Sequence, residues 1–198
     1  EVASTFARWV IERLQPGQTL SELGCGNGRD ALFFADQGLA VIACDRSEVA
    51  ISTLSERPDL ARFKVRPVFQ AGDMSALDDS HAGKLDVVYS RFTLHAVTAD
   101  EASAALAWAH RNLAPGGQLM IEVRSVLGSL YGKGTPVPED RDAFIHDGHY
   151  RRFVRKDELE AELERLGFTI TASVEAAHLA VYKDDDPVVI RIVAAKAS

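Results

Sequence analysis

SELGCGNGRD, residues 21–30, sets Gly24, Gly26 and Gly28 at alternate positions, behind a run of strand length and ahead of the helical stretch GRDALFFADQG (28–38). Glycines between a strand and a helix let the chain turn tightly. They also bring bare backbone up to a ligand, where the first N–H groups of the helix are free to donate. In a dinucleotide site those groups meet a pyrophosphate. Here the pattern is E-x-G-x-G-x-G, with Glu22 at the strand end. A carboxylate there repels a pyrophosphate and welcomes a cation such as an ammonium or a sulfonium. Behind the glycines, Asp30 sits in the first helical turn, whose positive end suits it.

On either side of this turn, apolar runs of strand length alternate with stretches of helical period, which argues for βαβ units and a parallel sheet. Residues 4–14 read as an opening helix with Phe6, Val10 and Leu14 on one face, and 19–24 as the first strand. A continuous apolar strand spans 40–45, and a helix spans 47–57 with Ser47 as N-cap and Pro58 as stop. A third strand lies within 63–73, and a fourth at 84–90. A helix follows at 98–113, capped by Thr98, then a turn at 114–117 and a fifth strand at 118–125. Residues 126–153 carry glycines, prolines and charges without a long period, and are expected to form an irregular, functional connection on the acceptor side. Helix returns at 155–168, closed by Gly167, and strands at 168–174 and 187–196 flank a solvated turn at 183–186.

The 198 residues are 46% hydrophobic and 26% charged, which suits one domain (1–198) with a sizeable core. The first residue is Glu1 rather than Met, so native sequence is expected to precede it. No apolar run reaches the length of a membrane span and no signal peptide is visible, so a cytoplasmic setting is expected. The formal net charge of −7 disfavours a nucleic-acid surface, which needs clustered basic charge. Cys25 and Cys44 form no CxxC pair and are expected as free thiols. The six histidines show no metal-ligand spacing, so no metal is expected.

Two further acids stand at strand ends. Asp45 comes 21 positions after Gly24, at the end of the second strand, where an acid is suited to a ribose diol. Asp73 follows the third strand in AGDMSAL and can accept from an adenine amino group, with Met74 packed on the ring.

This constellation resembles the class I S-adenosylmethionine-dependent methyltransferases. ELGCGNG is similar to their first motif, ACD to their ribose acid and GDM to their adenine motif. LDVVYSRFTLHAV is similar to their fourth-strand motif, and LAPGGQLMIEV to their turn into the fifth strand. The resemblance covers residues 19–125 in order. It implies a Rossmann-like, doubly wound α/β sheet of seven strands, mostly parallel with the last antiparallel, and S-adenosylmethionine as cofactor. It places Glu22, Gly24, Cys25, Gly26, Asn27 and Gly28 at the methionine end, Asp45 at the ribose, and Asp73 and Met74 at the adenine, with Ser90 beside them. Arg46 stands where the family often carries an apolar residue, and its guanidinium can stack on adenine. Only a short stretch precedes the first strand, so an N-terminal lid over the cofactor is expected to be incomplete.

Ligands bind at the carboxyl edge of open α/β sheets. The polar residues expected there are Ser90, Arg91 and His95 after the fourth strand, Arg124 after the fifth, and His146, His149, Tyr150, Arg151 and Arg152 in HDGHYRRF (146–153). Methyl transfer from a sulfonium is an in-line displacement that needs alignment and exclusion of water. A neutral hydroxyl acceptor also needs a base, whereas an anionic oxygen does not. Paired arginine hydrogen bonds suit a carboxylate or a phosphate. The expectation is therefore O-methylation of a small anionic acceptor anchored by Arg91, Arg124, Arg151 and Arg152. His95, His149 and Tyr150 are the catalytic candidates. DGHYRRF (147–153) is also similar to small bacterial methyltransferases associated with surface polysaccharides. Two other classes share parts of the pattern. An NAD-dependent oxidoreductase shares the glycine turn and the ribose acid, but Glu22 and the missing Tyr-x-x-x-Lys pair weigh against it. A non-catalytic S-adenosylmethionine-binding domain would keep the same glycines and acids.

Overall fold

In the computed structural model, which describes residues 2–198, the chain opens with α1 (Thr5–Ile11), β1 (Thr19–Leu23), α2 (Arg29–Asp36), β2 (Ala40–Asp45), α3 (Glu48–Ser55) and a 3-10 turn (Pro58–Arg62). It continues through β3 (Val68–Ala71), β4 (Leu85–Arg91), α4 (Ala99–Asn112) and β5 (Leu113–Arg124). Three short strands follow, β6 (Thr135–Val137), β7 (Asp140–His146) and β8 (His149–Arg152), and then α5 (Lys156–Arg165), β9 (Phe168–Ala176) and β10 (Val189–Lys196). The main sheet has the order β3-β2-β1-β4-β5-β10-β9. β10 runs antiparallel to both β5 and β9, while the pairs among β3, β2, β1, β4 and β5 are parallel. This is the expected seven-stranded, Rossmann-like sheet. Its strand order reverses between β1 and β4, and that switch point opens the crevice where such sheets take their ligands.

Local chemistry explains the element starts. The Ser47 hydroxyl accepts from the Ala50 N–H and the Thr98 hydroxyl from the Glu101 N–H, which caps α3 and α4. Apolar side chains leave the sheet on both faces, so the core is double. Leu20, Phe34, Val41, Tyr89 and Met120 pack under α1 and α2 on one face. Val88, Trp108, Ile121, Leu163 and Ile192 pack under α4 and α5 on the other. The expected turn at 114–117 is looped out of the β4–β5 ladder, whose register jumps from Leu85↔Leu113 to Val87↔Gln118.

Two expectations are corrected, and a third is extended. Residues 126–153 are not an irregular connection, because β6, β7 and β8 form a small antiparallel sheet. Its hairpin turns on Asp147 (φ 50°) and Gly148 (φ 73°) between the paired residues His146 and His149. Two central residues at positive φ match the right-handed twist of the flanking strands. Pro58 ends α3 but also opens the 3-10 turn. The acidic turn at 183–186 is not simply solvated, since Asp185 pairs with Arg124 and Asp186 with His178.

Ile121 is fully buried in β5, between β4 and β10. Ile121→Ala should cost about 2–5 kcal/mol through lost burial and the cavity it leaves. Urea unfolding should show this as a lower midpoint at unchanged slope, and an unmoved midpoint would contradict the packing described.

Candidate cofactor and acceptor site

The glycine turn does two different things. Gly24, Gly26 and Gly28 all have φ between 54° and 76°, a region L side chains rarely adopt. A Cβ on Gly24 would lie 2.2 Å from Thr93 Cγ2, and one on Gly28 would lie 2.6 Å from Leu54 Cδ2. Those two glycines allow close packing. A Cβ on Gly26 would meet nothing within 4 Å, so this glycine keeps open space free for a ligand. Asp45, at the end of β2, fixes the loop. Its Oδ2 accepts the Gly26 N–H at 2.8 Å and its Oδ1 accepts the Ser47 N–H at 2.9 Å. Each oxygen keeps a lone pair for a further donor.

Two cavities meet at Gly24. The first, about 220 Å³, is lined by Gly24, Asp45, Arg46, Gly72, Asp73, Met74, Phe92, Thr93, Ala96 and Val97. Asp73 is exposed there, and hydrogen bonds from the Ser75 hydroxyl and N–H hold its carboxyl below the usual range. The second, about 250 Å³, is lined by Glu22, Gly24, Cys25, Gly26, Asn27, Arg29, Asp30 and Arg91. Glu22 is only 4% exposed, and its Oε2 has no hydrogen-bond partner. Burial, and then the nearby Asp30 carboxylate, push the Glu22 carboxyl well above its ordinary range. A buried acceptor without a donor calls for a donor from outside the chain. Burial also pushes both cysteine thiols up, Cys44 to about 11, and both are free. Among the described residues no group of three or more His, Cys, Asp and Glu side chains is arranged to hold a metal ion.

S-adenosylmethionine fits this pair of cavities. Asp45, Asp73 and Met74 can hold an adenosine in the first. Glu22 can take an ammonium in the second, with Gly26 leaving room for the chain between. An ammonium brings the donor that the Glu22 Oε2 lacks, and a pyrophosphate brings none, which disfavours the oxidoreductase reading.

The remaining predicted residues separate into groups. Arg91 lines the Glu22 cavity. His95, Arg91 and Arg124 gather beside Phe92. The His95 ring stands 5.1 Å from the Phe92 ring, whose face is covered by the guanidinium carbons of Arg91 at 4.2 Å and Arg124 at 5.4 Å. His95 is buried, and burial, then Arg124, Arg151, Arg152 and Arg91, push its pKa down to about 3. Nη1 of Arg151 is buried without a partner. Arg152 is tied to backbone, donating from Nη2 to the Leu94 carbonyl at 3.1 Å. With Tyr150 it lines a separate cavity of about 750 Å³ between α4, α5 and the small sheet. Burial pushes the Tyr150 phenol up. His149 is exposed on the β7–β8 hairpin and lines neither cleft cavity. Ser90 is buried, and its hydroxyl is shared with that of Thr93. It therefore places Thr93 instead of lining the cleft.

Sequence reasoning missed Phe92 and Thr93, which wall the cleft. Phe92 adopts φ 56°, so the chain reverses sharply at the end of β4. It missed Arg29 too, although that residue stands inside the quoted stretch.

Comparisons with known proteins agree with this fold. Residues 21–117 match the family described as a methyltransferase domain. An uncharacterized methyltransferase of Synechocystis is 30% identical over 117 residues, 57% of this chain and 50% of that protein. The chain spans about half the length of the curated relatives it matches. The fold is shared with a solved Methanosarcina mazei protein described as an S-adenosylmethionine-dependent methyltransferase, with TM-score 0.82 and 20% identity over 96% of this chain and 97% of that one. It is also shared with a Burkholderia thailandensis didemethyltoxoflavin N1-methyltransferase, solved with its acceptor and S-adenosylhomocysteine, with TM-score 0.72 and 22% identity over 97% and 76% of the two chains. Fold, cleft and sequence match define an S-adenosylmethionine-binding α/β protein of the methyltransferase class. Over residues 21–117 the chain matches a methyltransferase domain, and its seven-stranded sheet is that of the S-adenosylmethionine-dependent methyltransferases. No helix among the described residues is long and apolar enough to cross a membrane.

Two outcomes test this site. Gly26→Ala should weaken S-adenosylhomocysteine binding in calorimetry at least tenfold, while stability falls by only about 1–2 kcal/mol for the left-handed backbone. Unchanged affinity would mean that the open space beside Gly26 is not used. The second concerns acid. The folded-state pKa of His95, about 3, lies below its ordinary 6.5. The unfolded chain therefore takes up a proton that the folded chain refuses. Its contribution is complete above pH 6.5 and is lost as pH falls towards 3, by at most about 1.4 kcal/mol per pH unit. His95→Gln should flatten that part of the stability–pH curve, and a curve parallel to wild type would contradict it.

Proposed function

We propose that the protein is an S-adenosylmethionine-dependent methyltransferase that methylates an oxygen of a small anionic acceptor, a carboxylate or a phosphate-bearing sugar, in the cytoplasm and as one catalytic domain. S-adenosylmethionine supplies an electrophilic methyl group on a sulfonium, which an acceptor oxygen displaces in line. Glu22 holds the cationic end and Asp45 and Asp73 hold the adenosine. The packed turn of Gly24 against Thr93 sets the distance between the two halves.

The observation that carries the acceptor class is the buried, unpartnered Nη1 of Arg151, whose charge acts on the buried His95 together with that of Arg124. An unsatisfied buried donor on a cation is costly, and an anionic oxygen would satisfy it. His95 supports the same reading from the other direction. Held neutral with a pKa of about 3, it is too weak a base to take a proton from a hydroxyl. An acceptor that arrives already ionised needs no such base. The likeness of residues 147–153 to polysaccharide-associated methyltransferases makes sugar phosphates and uronates the first acceptors to try.

Turnover on a panel of acceptors, followed by mass spectrometry of the methylated product, tests the proposal. Carboxylates and sugar phosphates should be methylated, and neutral alcohols and amines should not. Arg151→Ala should lower kcat/KM for the preferred acceptor by roughly tenfold to a hundredfold, the loss of one charge-assisted hydrogen bond. A protein that prefers amines, or that ignores Arg151, would require a different acceptor class.

A further inference from the structure

Four adjacent strands carry a buried row of alternating charge on the face beneath α1. Glu122 of β5 pairs in register with Arg91 of β4 on one side and with Arg191 of β10 on the other. Glu22 of β1 pairs with Tyr89. Tyr89 is two residues before Arg91 and therefore on the same face of β4. Read across the sheet, the row is Glu22, Arg91, Glu122, Arg191. Glu122 has no exposed surface and Arg191 only 4%.

The row is not evenly satisfied. Arg191 Nε donates to Glu122 Oε2 at 2.6 Å, and its Nη2 is taken by the Thr5 hydroxyl at 3.1 Å and the Leu179 carbonyl at 2.9 Å. That pair neutralises itself and anchors α1. Arg91 Nε donates to the other oxygen, Glu122 Oε1, at 3.1 Å. One carboxylate thus serves two guanidiniums and leaves a net positive charge on the Arg91 side. Among the described residues no hydrogen-bond acceptor takes the two Nη groups of Arg91. Its side chain is 17% exposed, and it opens into the cavity that also holds the unpartnered Glu22 oxygen. That cavity offers a carboxylate and a guanidinium to one ligand. An α-amino acid presents the complementary pair, an ammonium and a carboxylate.

We propose that this row is a receptor for the amino-acid end of the cofactor, in which Arg91 takes the carboxylate and Glu122 acts as a positioning residue that aims Arg91. The inference rests on the cofactor reading above. It moves Arg91 from the acceptor, where the sequence placed it, to the cofactor. Arg29 lines the same cavity and is the competitor for the role.

The test compares ligands that differ by one group. S-adenosylmethionine, its decarboxylated form and 5′-methylthioadenosine would be titrated calorimetrically into the wild-type protein and into Arg91→Met, Arg29→Met and Glu122→Gln. The wild type should prefer the intact cofactor over the decarboxylated form at least tenfold. Arg91→Met should erase that preference while binding 5′-methylthioadenosine within twofold of wild type. Glu122→Gln should reduce the preference several-fold, again sparing 5′-methylthioadenosine, which a general loss of structure would not spare. Three results would overturn the proposal: equal wild-type affinity for the intact and decarboxylated forms, an undiminished preference in Arg91→Met, or its loss in Arg29→Met instead. The first does not depend on any variant folding. If 5′-methylthioadenosine and the intact cofactor both fail to bind the wild type, the cofactor reading falls as well. If both bind without discrimination, only the role of Arg91 falls.

Discussion

A single carboxylate ties together the parts of the molecule that must meet for the cleft to exist. Asp30, at the start of α2, is 4% exposed. Its Oδ1 accepts the Ser4 N–H at 2.8 Å, and its Oδ2 accepts the Ser4 hydroxyl and the Tyr89 hydroxyl at 2.7 Å each. Ser4 in turn caps α1 by accepting from the Ala7 N–H. One buried group therefore joins the entry of α1, the helix behind the glycine turn and the middle of β4. A buried carboxylate is tolerable only with such a set of donors. Removing any one of them would leave charge or hydroxyl unsatisfied inside the core.

The two halves of the cleft rest on different physics. On the adenosine side, Asp45 and Asp73 bond to N–H groups in the loops after strands, and the ligand would meet a half-buried carboxylate at Asp45 and an exposed one at Asp73. On the methionine side the charges are buried in a row across the sheet, held by register rather than by loops. Gly24 joins the halves because only a residue without a side chain fits against Thr93. The dividing wall is thus thin backbone, and the charged row begins immediately beneath it.

How much of this was legible in the sequence depends on how far apart the partners lie. The glycine turn, the acids at strand ends and the caps at Ser47 and Thr98 come from local spacing, the seven strands with the last antiparallel come from the family resemblance, and all stand in the structure. The β7–β8 hairpin was equally local. Asp147 and Gly148 are a strong hairpin pair, but the run after them, His149–Arg152, lacks the apolar alternation that marks a strand. Asp30 looked like an ordinary first-turn acid, since its partners are 26 and 59 residues away. Glu122 and Arg191 gave no sign at all. Each lies in an apolar strand with nothing nearby to explain it, and the pairing that gives them meaning is set by register across 69 residues.

The buried row and Asp30 converge on Glu22, and this makes the site responsive to its ligand. Without a ligand, Glu22 is desolvated, lies beside the Asp30 carboxylate and is only partly relieved by Arg91 and Arg29. Those forces favour its neutral form. An ammonium or sulfonium placed against the unpartnered Oε2 reverses the balance, because an opposite charge in a desolvated site stabilises the ionised carboxyl strongly. A carboxylate received by Arg91 would keep the cavity near neutrality while Glu22 ionises. A cation alone gains Glu22 but leaves Arg91 uncompensated, and an anion alone gains Arg91 but faces the acids. The cavity therefore selects for a ligand that carries both charges at once, a discrimination that neither residue achieves by itself.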